Sequence, residues 1–441
     1  MTDRRIAVVG FGYIGSVIGA VLAKRGHDVV GIEPNERIAE AVNSGATPFN
    51  EPQLDDYIKE AVANGSLRVH SDMVDISDRD TVLITVGTPL DRNNKADMSQ
   101  IKMACEAVAP YLSDGQLVMI KSTVPPGTTA EVVAPILRQK ADVSLAFSPE
   151  RLAEGKAIKE LEAFPVVVGG IDEESKNAAA TFWKNTLGLD VIAVQNAETA
   201  EMVKLADNLW IDLNIALAGE LAKVCDQIGG IDVLEVIDAA NSLPKGNYNV
   251  NILVPSVGVG GYCLTKDPWF VYQMGQGFGI ELQIPRASRT INDSMPAYSA
   301  DLIEKSLLPG SQKTPQSMTI AVLGVAFKNN TGDCRFTPTK GVIEALSTKG
   351  FKLKIYDPWV SNDDAKTVTD ISFENSIDDA IHNADCIAFL AGHDDFRNLT
   401  AERIAKLANA GALVFDGRMF FSTEQIRAMQ SLGLKYKGVG R

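Results

Sequence analysis

The chain has 441 residues, with 42 Lys plus Arg against 56 Asp plus Glu and a formal net charge of -14. That length suits roughly three domains at about 150 residues each, and a charge of that sign excludes nucleic acid or an anionic membrane as the expected main partner. The five cysteines, Cys105, Cys225, Cys263, Cys334 and Cys386, are scattered and odd in number, which fits a reducing compartment better than a disulfide framework or a zinc site. No metal is expected. No signal peptide and no apolar run long enough to span a bilayer are visible, so a cytoplasmic protein is the expectation.

Residues 5–10 read as a buried parallel strand. Gly10, Gly12 and Gly15 follow in the spacing GxGxxG, and an apolar helix then runs to about Arg25. Gly26 stops it, and residues 27–33 form a second strand ending in Glu33. In this strand–turn–helix setting the glycines are a dinucleotide fingerprint. Gly10 permits the tight turn, Gly12 lets a pyrophosphate approach, Gly15 lets helix and strand pack, and the helix N-terminus faces the phosphates. Glu33 suits ribose hydroxyls and repels a 2′-phosphate, which favours NAD over NADP; Arg37, close by, speaks the other way. Strands at 81–87, 116–121 and 143–147 continue the alternation. The C-terminal ends of strands line the crevice of an open α/β sheet, so Thr88, Thr123 and Glu150 are the polar groups expected to meet cofactor and substrate.

From about Asn196 to Ile228 the pattern becomes one long helix, with Asn196 as N-cap and Gly229-Gly230 as the stop. It is apolar on more than one face, so it should pack against two domains or a second subunit, and a homodimer or higher homo-oligomer is expected. Lys204 and Asn208, four apart, share one face. The stretch VGVGGYCLTKDPWF at 257–270 follows. Its glycines would let the backbone approach a ligand, and Lys266 would help hold Cys263 as a thiolate, with Asp267 beside it. A structural turn with a buried cysteine is the competing reading. Cys105, Cys225 and Cys386 read as small core hydrophobes, and Cys334 has no assigned role. Residues 309–316 are a turn-rich linker. A second α/β unit then repeats the first without GxGxxG, with strands at 318–328, 351–357, 385–391 and 412–418. Lys328 and Arg418 end two of these strands, where they could clamp phosphates.

The segments GFGYIG at 10–15, TVGTPL at 85–90, KSTVPPGTT at 121–129, SPERLAEG at 148–155, EMVKLADN at 201–208, GVGGYCLTKDP at 258–268, INDSMP at 291–296, VLGVAFKNNTGDCR at 322–335 and FDGR at 415–418 stand in one order. Together they resemble the UDP-glucose/GDP-mannose dehydrogenase family of nucleotide-sugar 6-dehydrogenases, over nearly the whole chain. The resemblance implies an α/β chain of two Rossmann-like doubly wound parallel-sheet domains joined by a central long-helix dimerisation domain. The expected divisions are an NAD-binding domain at 1–195, the helical domain at 196–305 and an NDP-sugar-binding domain at 314–441. It also implies NAD as cofactor, a nucleotide sugar as substrate, and two successive oxidations at C6 through a cysteine thiohemiacetal and thioester. Carried over by position, Cys263 is the nucleophile, Lys204, Asn208 and Asp267 surround C6, and Thr123 and Glu150 handle water and protons. Gly10, Gly12, Tyr13, Ile14, Gly15, Glu33, Thr88, Thr123 and Lys266 would hold the cofactor. Glu150, Arg151, Leu152, Lys204, Asn208, Gly260, Lys328 and Arg418 would hold the substrate.

The chain departs from the family's motifs at a few positions, one being the downstream acidic-aromatic patch, present only as His393-Asp-Asp-Phe396. Tyr262 stands before the cysteine where Ser or His is usual, and Phe336 follows Arg335 where an acid is common. The run Asp267-Pro268-Trp269-Phe270 and Pro149-Glu150-Arg151 resemble the members acting on UDP-N-acetylhexosamines, whereas Lys266 and Leu152 to Gly155 resemble those acting on UDP-glucose. The expected substrate is a UDP-N-acetylhexosamine (UDP-ManNAc or UDP-GlcNAc), with UDP-glucose or another NDP-hexose as the alternative. A two-electron hydroxyacid dehydrogenase is the more distant rival. A non-enzymatic NAD-dependent sensor is also open, although the full set Lys204, Asn208, Cys263 and Asp267 speaks against it.

Overall fold

The computed structural model describes residues 4–244, 246 and 249–441. They form two compact units, the first ending at Asp207 and the second beginning at Asn208. The first is built on β1 (Arg5–Val9), β2 (Asp28–Ile32), β3 (Leu67–His70), β4 (Thr81–Ile84), β5 (Leu117–Ile120), β6 (Ser144–Phe147), β7 (Val166–Gly170) and β8 (Val191–Ala193). Their order across the sheet is β3-β2-β1-β4-β5-β6-β7-β8. All neighbours pair in parallel except β6 and β7, which are antiparallel. The first strands are unbroken apolar runs because both faces are covered: Ile6 and Val8 join one core, and Ala7 and Val9 join the other. Phe11 is fully buried. Its ring fills the space where side chains on Gly19 and Gly31 would lie, 2.6 and 2.4 Å from those Cβ positions.

The long helix runs Ala197–Ile228. Asn196 caps it, accepting from Thr199 N at 3.0 Å, and Gly229 and Gly230 end it in left-handed conformation, both at φ 73. Beyond it lie the helices Val233–Asn241, Tyr262–Gly277 and Gln283–Leu307. The second sheet comprises β9 (Thr319–Leu323), β10 (Lys352–Tyr356), β11 (Cys386–Phe389), β12 (Leu413–Asp416) and β13 (Lys435–Gly438), all parallel, in the order β10-β9-β11-β12-β13. Ala218 and Ala222 of the long helix and Met295 and Ile303 of Gln283–Leu307 share one core with Ile320, Val322 and Ile355 of this sheet. The helices and the C-terminal sheet therefore belong to one compact unit.

The repeat anticipated between the two sheets is present down to the turn. Gly10 N donates to Ile32 O at 2.9 Å, and Gly324 N donates to Tyr356 O at 2.9 Å. Phe11 N donates to Glu33 Oε2 at 2.8 Å, and Val325 N to Asp357 Oδ2 at 2.6 Å. In each case a carboxylate ending the second strand holds the turn after the first. β3, β7, β8 and β13 are not among the strands expected from the pattern. β3 and β13 are short edge strands and β8 has three residues with two exposed, so their pairing comes from the neighbouring sheet more than from their own sequence.

Candidate active site

In the first unit the glycine turn has the properties a dinucleotide needs. Gly10 is at φ 87. A Cβ on Gly12 would meet nothing within 4 Å, whereas one on Gly15 would lie 2.1 Å from Gly10 O. Gly12 thus opens to a space that a phosphate can enter, and Gly15 is closed by packing. The helix Tyr13–Lys24 begins at Gly12 with no side-chain cap and no acid in its first turn, which leaves its N–H groups for an anion. Glu33 is buried at the end of β2 and also accepts from Asn35 N at 3.0 Å. Thr88 is buried and donates to Thr123 O at 2.7 Å.

Glu51 was not anticipated. It is buried, accepts from Tyr13 OH at 2.5 Å and from Gly155 N at 2.5 Å, and so joins the glycine turn to the SPERLAEG segment. Burial and this bond to Glu51 push the Tyr13 phenol up. Ile14 and Leu152 pack against the apolar core of the same unit, and Arg151 donates to Pro165 O.

Glu150 is also buried, three residues beyond β6. Its carboxylate accepts from Leu152 N and lies 3.9 Å from Lys121 Nζ. Lys121 ends β5, with its ammonium 4.8 Å from the centroid of Trp183. Burial pulls its pKa down to about 8, Glu150 pulls it back up, and Lys204 and Arg151 lower it further. Lys121, Glu150 and Lys204 are therefore electrostatic neighbours. Lys204 is itself buried, on the long helix. One turn earlier, Glu201 accepts from Gly127 N at 2.7 Å, Thr129 N at 2.8 Å and Thr129 Oγ1 at 2.6 Å, fixing the PPGTT loop that follows Thr123. Burial pushes the Glu201 carboxyl up to about 7 against the pull of those donors. Lys121 and Glu201 lie inside segments singled out by motif, but only the fold shows which way they point.

In the second unit Cys263 is exposed, at the second position of the helix Tyr262–Gly277. Asp267, fully buried one turn later, accepts from Asn208 Nδ2 on one oxygen at 2.5 Å and from Lys266 Nζ on the other at 2.6 Å. The Lys266 ammonium lies 4.1 Å from the Phe270 ring centroid. Its charge is thus taken up by Asp267 and aromatic faces. The glycines before the cysteine serve packing: a Cβ on Gly260 would lie 2.4 Å from Phe327 Cβ, and one on Gly261 2.7 Å from Phe327 Cε2.

Pro268 lacks the N–H that would bond to Leu264 O in a regular helix. That carbonyl accepts instead from Arg289 Nη1 at 3.3 Å. The same guanidinium donates to Asp212 Oδ1 at 2.6 Å, and Asn292 Nδ2 donates to it at 2.8 Å. This fully buried trio braces the turn below Asn208. Its only trace in the sequence was the INDSMP motif containing Asn292.

Arg418 donates to Phe327 O, the carbonyl just before Lys328, so these two expected phosphate ligands sit on adjoining loops of the second sheet. Burial pulls the Arg418 pKa down to about 10, which leaves it charged at neutral pH. Cys105, Cys225, Cys334 and Cys386 are buried, and burial pushes each thiol up. No group of three or more His, Cys, Asp or Glu that could hold a metal is found among the described residues. None of their helices is long and apolar enough to cross a membrane.

Three family models cover most of the chain. They are the NAD binding domain of the UDP-glucose/GDP-mannose dehydrogenase family at residues 4–187, its central domain at 198–294 and its UDP binding domain at 321–423. A UDP-N-acetyl-D-mannosamine dehydrogenase of Methanocaldococcus jannaschii is 36% identical over 410 residues, 92% of this chain and 90% of that protein. The solved UDP-D-ManNAc dehydrogenase of Pyrococcus horikoshii superposes with a TM-score of 0.88 at 32% identity, covering 99% of each chain. A UDP-glucose dehydrogenase of Pyrobaculum islandicum gives 0.87 at 26% identity, over 100% of this chain and 98% of that one. The fold is thus common to enzymes named for different sugars, and the backbone does not select among them.

Proposed function

Because the chain belongs to the UDP-glucose/GDP-mannose dehydrogenase family and is an NAD-dependent nucleotide-sugar dehydrogenase, we propose that it oxidises C6 of a UDP-N-acetylhexosamine to the carboxylic acid, four electrons in all, through a covalent bond to Cys263. The observation that carries this reading is the exposed Cys263 in the first turn of its helix, one turn from the buried Asn208–Asp267–Lys266 cluster. A helix N-terminus favours the thiolate. The sugar is taken from the name of the M. jannaschii relative and from the Asp267 to Phe270 run.

Bound NAD supplies the hydride acceptor in each of the two oxidations. Gly10, Gly12, Gly15 and the helix start at Tyr13 hold its phosphates, and Glu33 its ribose. Glu150 and Thr123 hold the water that takes the C6 hydroxyl proton. The Cys263 thiolate then adds to the aldehyde carbon, forming a C–S bond and an oxyanion. The Lys204 ammonium and the Asn208 amide donate to that oxyanion. Asp267, which accepts from Asn208 and Lys266, positions both and has lone pairs left to orient the hydrolytic water. After the second oxidation Cys263 carries a thioester; water adds to its carbonyl, the thiol leaves, and the acid is released. Lys328 and Arg418 bind the diphosphate.

We place the domains at 1–195, 196–305 and 314–441. We also propose a homodimer on the exposed stripe Met202, Trp210, Leu217, Val224 and Ile228 of the long helix, and place the protein in the cytoplasm, where a thiol stays reduced. The decisive experiment counts NADH per sugar consumed with UDP-ManNAc, UDP-GlcNAc and UDP-glucose. Two NADH per acetylated sugar supports the reading, and one supports a two-electron dehydrogenase. Cys263→Ser should stall before the acid; uronate formed at the parental rate would refute the covalent route.

A further inference from the structure

Tyr262, next to Cys263 in the chain, and Phe336 meet in space. The rings of Tyr262 and Phe336 are 5.9 Å apart between centroids and tilted by 45°. Tyr262 opens the helix that carries Cys263, and Phe336 lies in the loop between β9 and the helix Pro338–Thr348. One backbone bond sets the pair: Gly261 N, just before Tyr262, donates to Arg335 O, just before Phe336, at 3.0 Å.

Phe336 is 62% exposed, although it is a large apolar ring. Its backbone is left-handed, at φ 52, a conformation that bulky residues rarely adopt. Neither core burial nor backbone preference accounts for a phenylalanine there, and strain of this kind concentrates at ligand contacts. On the inner side of the loop the space is filled, since Phe327 closes Gly260 and Gly261. Cys263 and the Phe336 ring are both exposed.

We propose that Tyr262 and Phe336 act as one specificity-determining wall beside Cys263, contacting the sugar under oxidation and favouring one that carries an acetamido methyl. This rests on the reading of Cys263 as nucleophile toward a UDP-N-acetylhexosamine. With C6 at the thiol, the pyranose lies against the residues flanking Cys263. The Phe336 ring has no hydrogen-bonding atom, so it rewards buried methyl and C–H groups and leaves a hydroxyl unsatisfied. A methyl-sized difference in an apolar site discriminates by about 10–200-fold.

The test is kcat/KM, read as NADH formation, for UDP-ManNAc, UDP-GlcNAc and UDP-glucose with the parent protein, Phe336→Ala, Phe336→Gly, Tyr262→Ser and Tyr262→Phe. The glycine variant removes the ring and suits the left-handed backbone, so its melting temperature should hold or rise. The parent should prefer an acetylated sugar. Phe336→Ala, Phe336→Gly and Tyr262→Ser should each reduce that preference by about tenfold or more, mainly through KM, while Tyr262→Phe retains it. Folded, active ring-deletion variants that keep the parental preference overturn the wall but leave the substrate assignment standing. A parent that prefers UDP-glucose overturns both.

Discussion

Lys121 tests how the first unit balances stability against chemistry. Its side chain is 3% exposed, its ammonium lies 3.9 Å from Glu150, and burial has drawn its pKa from 10.5 to about 8. In an unfolded chain the amine would hold its proton up to about pH 10.4. Between pH 8 and 10.5 the unfolded state therefore binds more protons than the folded one, and stability rises with pH across that window. Below pH 8 both states are protonated and the buried charge opposes folding by roughly 3 kcal/mol, the shift converted at ~1.36 kcal/mol per unit. Lys121→Met replaces the charge with an apolar chain of similar length. It loses a cation–π contact with Trp183 worth about 0.5–2 kcal/mol and regains part of that as a sulfur–aromatic contact of about 0.3–1.5 kcal/mol. The variant should therefore be more stable than the parent at pH 7, by about 1–3 kcal/mol. Calorimetric melting at several pH values should show that gap closing from pH 8 to 10.5, as the parent sheds its proton. Turnover should fall, because Glu150 and Lys204 lose a charged neighbour. A destabilised variant at pH 7, or a gap constant across the window, would refute the electrostatic account.

The two glycines of the turn should behave oppositely. Gly12→Ala, with nothing within 4 Å of the new Cβ, should melt like the parent yet raise the KM for NAD, whereas Gly15→Ala, 2.1 Å from Gly10 O, should fail to fold stably; equal melting temperatures would contradict the packing argument. Arg289→Ala strands the buried Asp212 carboxylate, so unfolding by urea should show a loss of about 3–5 kcal/mol. Asp267→Asn turns one of its two acceptor oxygens into an NH2 donor, so either Lys266 or Asn208 loses its acceptor. It should lower kcat with little change in the KM for NAD, as steady-state kinetics would reveal.

Much of this architecture was legible in one dimension. The strand–glycine turn–helix at 5–25, the capped long helix and the second α/β unit were read from apolar runs and stop signals, because those features are set by residues close together in the chain. Cys263, Lys204, Asn208 and Asp267 could be named from motif and spacing. Their electrostatic company could not. Lys121 passed unnoticed because a lysine at a strand end has no local mark distinguishing a buried amine from a solvated one. Gly260 and Gly261 suggest room for a ligand, but Phe327 and Pro338 stand against the first and the ring of Phe327 against the second. A glycine's own freedom does not reveal what packs opposite it.

The amino-acid order alone determined most of the elements, β3, β7, β8 and β13 excepted, and what chemistry the side chains can offer, since turns, caps and periodicity act over a few residues. Tertiary structure decided the partnerships. Tyr13 finds Glu51 across 38 residues and Arg289 finds Asp212 across 77; Tyr262 finds Phe336 through the bond between Gly261 and Arg335. Such pairs depend on which strand lies beside which and on which side chains lose water together. Burial and proximity in turn fix charge, orientation and exposure, and these are properties of the packed chain that no local segment carries.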